Sequence, residues 1–321
     1  MNPTSQLGTR AHQRRLGSTP LRVSSLAIGG NVFGWTVGDE ATVDILDRYV
    51  ELGGTFIDTA DSYAGGRSEI LIGNWMRDRR NRADVVLATK IGKSADFPGL
   101  TPGALTAAID ASLTRLGTDY LDLLYLHIDD PDVPFEETLV ALDEVVRAGK
   151  VRYLGASDHS GNRLIEARII AAQLGLGPLV AVQSRYNLMH RAVFEGSMAS
   201  VAASQGLAVM PRFALDGGFL TGRYRSRANL ASVHGRFDSR VVDAQSHLNR
   251  RGLRVLAALD RVSAEHEVAP ASIAIAWLLT KSNVVAPVAS ASSADQVEDL
   301  IAGTLVQLTR NQVAALDAAT A

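Results

Sequence analysis

The sequence predicts an α/β fold, namely a single (β/α)8 TIM barrel formed by residues 1–321. Short, nearly uninterrupted apolar segments alternate with longer segments of helical periodicity, and such strands are typical of a parallel sheet buried on both faces. Eight pairs occur within 321 residues, which favours a closed barrel over an open doubly wound sheet. The open sheet is the alternative, but the glycine fingerprint that usually follows its first strand is absent from "SLAIGGNVFGWTVG".

The eight strand segments are, in order, "SLAIGG", "TFID", "VVLATK", "LDLLYLH", "VRYLGAS", "LVAVQ", "LAVMP" and "NVVAPVA". The helical segments that follow them are "EATVDILDRYVELGG", "RSEILIGNWMRDRR", "TPGALTAAIDASLTRLG", "PFEETLVALDEVVRAGK", "SGNRLIEARIIAAQLG", "AVFEGSMASVAASQG", the pair "LRVLAALDRVSAEHE" and "ASIAIAWLLTK", and "SADQVEDLIAG". Pro102 stands in the first turn of the third helix, where proline is favoured.

Two further segments complete the predicted architecture. Before the first barrel strand, "RRLGSTPLRVSSL" predicts a β-hairpin that covers the barrel floor. After the seventh strand, the segment from Asp216 to Ser246 is polar, arginine-rich and long for a strand–helix loop. Loops of this length are typically functional lids or disordered insertions, so we expect this one on the cofactor side of the barrel.

Composition excludes several classes of protein. The formal net charge of −2 gives no electrostatic reason to expect nucleic acid or membrane as a partner, although the arginines between Arg212 and Arg240 leave a local anion site open. The absence of cysteine excludes disulfides, thiolate metal sites and cysteine nucleophiles. The first residues lack the apolar core of a signal peptide, and no apolar segment is long enough to span a bilayer, so a cytoplasmic location is expected.

Polar side chains stand where the predicted strands end, the face at which such barrels place their chemistry. They are Asp58, Tyr63, Lys90, His127, Ser157, Asp158 and Gln183. Each has an ordinary structural interpretation, because a strand-end aspartate can cap a turn, a lysine can form a salt bridge and a histidine can be hydrogen-bonded structure. The first four, arriving at one rim from consecutive strands, together predict an acid–base site.

This set has a specific chemistry. A free tyrosine titrates near pH ~10 and holds its proton at neutral pH. The Lys90 ammonium would lower the pKa of Tyr63 and ease proton donation, and Asp58 would keep that ammonium charged. His127 could orient a substrate carbonyl, and Asp61 is expected to act only in the local turn. The set holds no hydride, so it implies a redox cofactor, while the scattered histidines predict no metal site.

The segments "FIDTADSYAGGRSEILIG", "ATKIG", "LDLLYLH", "GKVRYLGASDHS", "AVQSRYNLMHR" and "GGFLTGRY" resemble, in order and spacing, those of the aldo-keto reductase superfamily, over almost the whole chain. The resemblance implies a catalytic tetrad of Asp58, Tyr63, Lys90 and His127, with Tyr63 as the general acid. It also implies NADPH/NADP+ as the cofactor, with NADH less favoured, and a small-molecule aldehyde or ketone as the substrate.

The resemblance extends to the cofactor site position by position. The residues expected to contact the cofactor are Gly30, Asn31, Asp58, Ser157, Asp158, Gln183, Arg212, Gly217, Leu220, Gly222, Arg223, Ser290, Ser292, Ser293, Gln296 and Asp299. Substrate is expected near Tyr63 and His127, with Phe33 and Trp35 offering flat apolar surface at the pocket mouth. Packing of these two aromatic side chains under a loop is the alternative.

Three positions depart from the family pattern. Asp158 replaces an asparagine that binds the nicotinamide carboxamide, Arg212 replaces an aromatic side chain that stacks on nicotinamide, and Ser292 replaces an arginine near the adenosine phosphate. The altered contacts motivate a second functional hypothesis, in which the chain is a cofactor-binding regulatory or partner subunit like the potassium-channel β subunits that share this fold. No motif specifies the oligomeric state.

Overall fold

The structure, a computed structural model, describes residues 12–226, residue 228 and residues 245–321. The N-terminal residues before 12 and most of the arginine-rich loop therefore lie outside the described residues. An eight-stranded parallel sheet forms the centre of the fold, as predicted for a (β/α)8 barrel. The strands are β3 (Ala27–Gly29), β4 (Phe56–Asp58), β5 (Val86–Ile91), β6 (Leu121–Leu126), β7 (Val151–Ser157), β8 (Ala181–Arg185), β9 (Ala208–Arg212) and β10 (Val288–Ala289), preceded by a hairpin of β1 (Gln13–Arg15) and β2 (Arg22–Ser24).

Helices follow the strands in the predicted order. They are α1 (Asp39–Glu51), α2 (Arg67–Arg79), α3 (Pro102–Leu116), α4 (Phe135–Arg147), α5 (Gly161–Leu174), α6 (Ala199–Gln205), α7 (Arg250–His266), α8 (Pro270–Leu279), α9 (Ala294–Leu305) and α10 (Arg310–Ala319). Local signals fix several of their starts, because Thr101 and Ser160 accept backbone N–H groups at the first turns of α3 and α5. Among the described residues, no helix is both long and apolar enough to cross a membrane.

Two helices differ from the sequence prediction. The expected sixth helix is interrupted. Ala192 and Val193 are α-helical, a five-residue π-helical segment follows at Phe194–Met198, where Gly196 has a non-helical ψ of −125°, and α-helix resumes at Ala199. The C-terminal helix α10 was not predicted. It begins with a capping box in which Thr309 and Gln312 satisfy each other's backbone N–H groups, a pattern that is visible in the sequence "TRNQ".

The eighth strand is divided between its two neighbours. Val288 and Ala289, after Pro287, pair with β3. The residues before Pro287 bond to β9 instead: the N–H of Val209 donates to the carbonyl of Asn283, and the N–H of Val285 donates to the carbonyl of Val209. Proline has no N–H to give to a ladder, so the strand "NVVAPVA" cannot run uninterrupted. These contacts bring both edges of the sheet together and leave the barrel nearly closed.

The N-terminal hairpin packs against the barrel interior, as the sequence predicts for its floor. Leu16 and Val23 are fully buried in one cluster with inward side chains of the strands. Gly17 has a φ of +54°, and a Cβ atom there would lie 2.9 Å from the carbonyl oxygens of Val180 and Gly206. Only glycine permits that approach of the turn to the strand starts. The assignment of residues 1–321 to a single domain remains a prediction.

Candidate active site

Strand alternation carries three of the four tetrad side chains to the barrel interior, while Tyr63 lies in the 3-10 segment Tyr63–Gly66 after β4. Alternate side chains of a strand share a face, and Phe56 of β4 and Val86 and Ala88 of β5 belong to the interior cluster. The next residue on each inward row is polar: Asp58 on β4 and Lys90 on β5. The same step of two takes Tyr125 to His127, whose backbone N–H donates to the carbonyl of Ile91 at 2.9 Å. An apolar lower layer therefore changes to a polar layer at the carboxyl ends of the strands.

Asp58 and Lys90 form a buried ion pair. Lys90 Nζ donates to Asp58 Oδ2 at 2.6 Å and to the Thr59 carbonyl at 2.7 Å, and both charged side chains are almost inaccessible to solvent. Gln183 Nε2 donates to the other oxygen, Asp58 Oδ1, at 3.0 Å. Burial would lower the pKa of Lys90, but the charges of Asp58 and Tyr63 raise it above its ordinary value. The ammonium therefore stays charged.

Tyr63 and His127 face the space above this pair. Lys90 Nζ lies 5.1 Å from the centre of the Tyr63 ring, and the Tyr63 and His127 rings meet edge-to-face at 5.9 Å. Burial raises the pKa of Tyr63, and the Lys90 ammonium is the strongest opposing influence. Burial together with the charges of Lys90 and Lys93 lowers the pKa of His127 to about 2. At neutral pH the phenol is therefore protonated and the imidazole uncharged, so both groups can donate to one carbonyl oxygen.

A cavity of about 670 Å³ opens from these side chains, within the usual size range of ligand sites. It extends along the carboxyl ends of the strands to the first turn of α9. The predicted site residues that line it are Asn31, Asp58, Tyr63, His127, Asp158, Gln183, Arg212, Gly217, Arg223, Ser290, Ser292, Gln296 and Asp299. Ser290 Oγ donates to the side-chain oxygen of Asn31, which joins the end of β10 to the loop after β3. One continuous cavity thus connects the two ends of the predicted cofactor site.

The remaining predicted residues are placed differently. Lys90, Gly30, Ser157 and Leu220 are buried behind the cavity wall, while Gly222 and Ser293 do not line it. Phe33 is fully buried in the main core, and Trp35 has 60% of its surface exposed. The structure does not bring either aromatic residue to the cavity, and Phe33 packs beneath the loop, as in the alternative that the sequence left open.

The chain's own residues fit a dinucleotide cofactor. At one end of the cavity, the buried Ser157 Oγ has no hydrogen-bond partner among the described residues. At the other end, the N-cap residue of α9, Ser293, makes no side-chain capping hydrogen bond, and helix N-termini with free N–H groups bind anionic groups. Between them, Gly217 and Gly218 adopt left-handed φ values of 63° and 94°, which leave the backbone open to a close ligand. Hydrogen-bonding groups suited to an amide and to phosphates are thus spaced along one cavity.

The two departures from the family pattern beside the nicotinamide position contact each other. Arg212 Nε and one terminal nitrogen lie 2.9 Å from the two carboxylate oxygens of Asp158, which is a bidentate ion pair. Asp158 holds a left-handed φ of +60°, a conformation that aspartate tolerates better than most residues. The pair neutralises both charges at the cavity wall, so the positive charge of Arg212 does not stand alone near the expected ring.

The sequence analysis missed Lys93 as a cavity residue. Lys93 lines the cavity, and its charge helps to keep the imidazole of His127 neutral. Lys93 lies in the loop "IGKSADFPGL", and its position three residues after Lys90 was the available signal. Thr221 and Tyr224 also line the cavity, and both belong to the segment "GGFLTGRY", which the resemblance had already placed at the cofactor.

Asp61 is more than a residue of the local turn. Its side chain is buried, Oδ2 accepts from the Gly92 N–H at 3.3 Å, and Oδ1 has no hydrogen-bond partner among the residues that the structure describes. Burial, with the charge of Glu69, raises the pKa of Asp61 to about 6. The folded state therefore binds this proton more tightly than the unfolded chain.

Asp61→Asn is expected to stabilise the protein above pH ~7 by about 1–3 kcal/mol and to change stability little near pH ~4. The raised pKa makes the protonated form the stable one, so its contribution is complete below the ordinary value of 3.8 and is lost as the pH rises through about 6. Urea unfolding of both proteins at the two pH values measures the difference. A variant less stable than the parent at high pH would show instead that the ionised carboxylate supports the fold.

Comparisons with known proteins agree with this geometry. The chain is 35% identical over 310 residues to Norsolorinic acid reductase stcV of Emericella nidulans, covering 91% of this chain and 77% of that protein. It is 30% identical over 295 residues to Probable aryl-alcohol dehydrogenase AAD4 of Saccharomyces cerevisiae. It is 33% identical over 296 residues to Probable voltage-gated potassium channel subunit beta of Oryza sativa subsp. japonica. Each of these two alignments covers 88% of this chain and 88% of the relative. A family model described as the aldo/keto reductase family matches residues 25–321. With these matches and the barrel they share, the chain belongs to the aldo/keto reductase family.

Proposed function

We propose that the protein is an NADP(H)-dependent oxidoreductase that reduces an aldehyde or ketone to an alcohol, or catalyses the reverse reaction. The observation that supports it most is the meeting of Tyr63, His127 and the Asp58–Lys90 ion pair at one end of a cavity that continues to α9. Relatives named as reductases and aryl-alcohol dehydrogenases support the same reaction class. The protein would be a cytoplasmic, single-domain enzyme whose partner is a small carbonyl compound, with neither nucleic acid nor membrane involved.

The tetrad residues would act as a proton-delivery unit. Bound nicotinamide supplies the hydride for the carbonyl carbon. Tyr63 donates its proton to the carbonyl oxygen, and neutral His127 holds that oxygen by a second hydrogen bond. The Lys90 ammonium stabilises the phenolate that remains, and Asp58 keeps Lys90 protonated and in place. A water-poor site strengthens each of these interactions.

The proposed cofactor preference is based on the residues at the far end of the cavity. Ser290, Ser292, Ser293, Gln296 and Asp299 are proposed to surround the adenosine phosphate, with the N–H groups at the start of α9 binding the charge. Arg223 lines the cavity and would contact the pyrophosphate together with the backbone of the glycine-rich segment. We therefore propose NADPH over NADH, and parallel binding titrations of the two cofactors test this preference independently of turnover.

The function is tested by measuring NADPH oxidation with a panel of aryl and alkyl aldehydes and ketones, and NADP+ reduction with the matching alcohols. We expect turnover of at least one class of carbonyl compound. Aryl carbonyls are expected to be the best substrates, because relatives are named aryl-alcohol dehydrogenases. Tight NADPH binding without turnover of any compound would refute the enzyme proposal. It would favour the second candidate, a regulatory subunit, which the potassium channel β relative and the altered residues Asp158 and Arg212 support. Co-purification with a stable protein partner would then be the measurement to make.

Asp158 and Arg212 are expected to act as a coupled pair in cofactor binding. Asp158→Asn or Arg212→Tyr alone leaves one charge at the cavity wall without its partner, and should weaken NADPH binding about threefold to tenfold. The effect is modest because both side chains are roughly a third exposed. The double variant restores the family's asparagine and aromatic side chain together, and should bind NADPH within about threefold of the parent. Losses that simply add in the double variant would show that the two residues act independently.

A further inference from the structure

Two of the histidines that the sequence leaves scattered meet one aspartate outside the tetrad. His190 follows β8, Asp216 opens the 3-10 segment Asp216–Thr221, and His247 precedes α7. His247 Nε2 lies 2.7 Å from Asp216 Oδ2, and His190 Nε2 lies 3.2 Å from Asp216 Oδ1. One ligand-type atom from each of the three side chains lies within 4.8 Å of the others.

The two oxygens of Asp216 have different surroundings. Oδ1 accepts from Asn187 Nδ2 at 3.2 Å and from Arg185 at 3.1 Å, so donors from β8 and the following turn fix the carboxylate. Oδ2 points at His247, yet neither of these two atoms has a hydrogen-bond partner of acceptable geometry within the described part of the chain. Asp216 is fully buried and His247 is 9% exposed. A buried carboxylate oxygen and a buried imidazole nitrogen are therefore directed at one place without a hydrogen bond between them.

We propose that His190, Asp216 and His247 form a binding site for a divalent late first-row transition-metal ion such as Zn²⁺. Two imidazoles and one carboxylate are an established donor set for such ions, which bind nitrogen and oxygen at about 2.0–2.2 Å. Binding of the ion would require rotations of the side chains that bring the three atoms to these distances from it. His190 is 33% exposed, so the ion and a water ligand can reach the site from solvent.

The contacts around the three ligands fit this role. Metal-bound carboxylates are usually oriented by further hydrogen bonds, and Asn187 and Arg185 supply them on Oδ1.

The position of the cluster suggests what the ion does. Asp216 and His247 stand at the two ends of the insertion 217–246, and His190 lies on the turn after β8. An ion bound by all three would link the residues at the two ends of the insertion to the turn that follows β8. Both chain neighbours of Asp216, Leu215 and Gly217, line the catalytic cavity, whereas none of the three proposed ligands does, so the ion would take no part in proton transfer.

The test uses the full-length protein freed of metal with a chelator. Titration with Zn²⁺ by calorimetry is expected to show one ion per chain, Co²⁺ should give the visible absorption of a low-coordinate nitrogen and oxygen site, and Zn²⁺ should raise the unfolding temperature. His247→Ala and Asp216→Asn should each weaken Zn²⁺ binding by at least about 100-fold, more than the loss of a supporting hydrogen bond. His12→Ala removes an exposed histidine outside the cluster and should bind Zn²⁺ like the parent.

Two results would overturn the proposal. One is the absence of stoichiometric Zn²⁺ binding in the parent protein, which would show that Arg185 and protonated histidines balance the charge of Asp216 without a metal ion. The other is binding that His247→Ala leaves unchanged, which would place an adventitious ion elsewhere. Circular dichroism and NADPH binding identify any variant that is not folded. If His247→Ala or Asp216→Asn fails to fold, His190→Gln takes its place in the comparison, because His190 is the most exposed of the three ligands.

Discussion

Tyr63→Phe is expected to lower kcat for carbonyl reduction by about 10²- to 10⁴-fold, while the dissociation constant for NADPH changes less than about threefold. Phenylalanine keeps the ring and its edge-to-face contact with His127 but removes the proton that the carbonyl oxygen must receive. The raised pKa of Tyr63 means that the parent phenol carries this proton at neutral pH. The loss should therefore appear in the chemical step rather than in binding.

The matched control is Tyr224→Phe. Tyr224 also lines the cavity but lies in the segment expected to hold the pyrophosphate, so its phenol should be dispensable for proton transfer. Single-turnover kinetics and cofactor fluorescence separate the chemical step from binding for both variants. Tyr63→Phe with a kcat within about threefold of the parent would mean that another acid supplies the proton, and the assignment of the tetrad would fail.

Much of the fold was predictable because its signals are local. Each strand is a short apolar segment, the helices have a period of their own and several have a capping residue, and the step from Phe56 to Asp58 or from Ala88 to Lys90 follows the two-residue repeat of a strand. The rim of polar side chains could therefore be named residue by residue. Even the interruption of the eighth strand has a visible cause in Pro287.

What the sequence could not give depends on contacts between distant segments. Asp158 and Arg212 are separated by 54 positions, and the ligands of the proposed metal site come from three different loops. No periodicity links such residues, because loop conformations decide whether their side chains meet. Phe33 shows the same limit on a smaller scale. Its aromatic character suggested a ligand surface, but the turn after β3 directs the side chain into the core.

Breaking the Asp58–Lys90 pair is expected to have the largest effect on stability. Lys90→Met or Asp58→Asn should each reduce the free energy of unfolding by about 3–5 kcal/mol, because each leaves the opposite charge buried without its partner. The combined variant, Asp58→Asn with Lys90→Met, should lose clearly less than the sum, since no uncompensated charge remains. Urea unfolding at pH ~7 measures all four proteins. The raised pKa of Lys90 adds stability that is complete below the ordinary lysine value of 10.5 and is lost only as the pH rises through the higher pKa of the folded state, so unfolding at pH ~7 reports this stability fully.

The exposed pair of Lys150 and Asp110 provides the control. Its ammonium and carboxylate lie 2.5 Å apart, but the side chains are 36% and 51% exposed, so Lys150→Met should cost less than about 1 kcal/mol. Single variants of the buried pair that cost no more than this would refute the expectation. Buried ion pairs are often less stabilising than apolar residues of similar volume, so stability alone gives little reason to keep Asp58 and Lys90. A combined variant that regains stability yet still fails to reduce carbonyls would show that proton delivery by Tyr63, rather than folding, requires the pair.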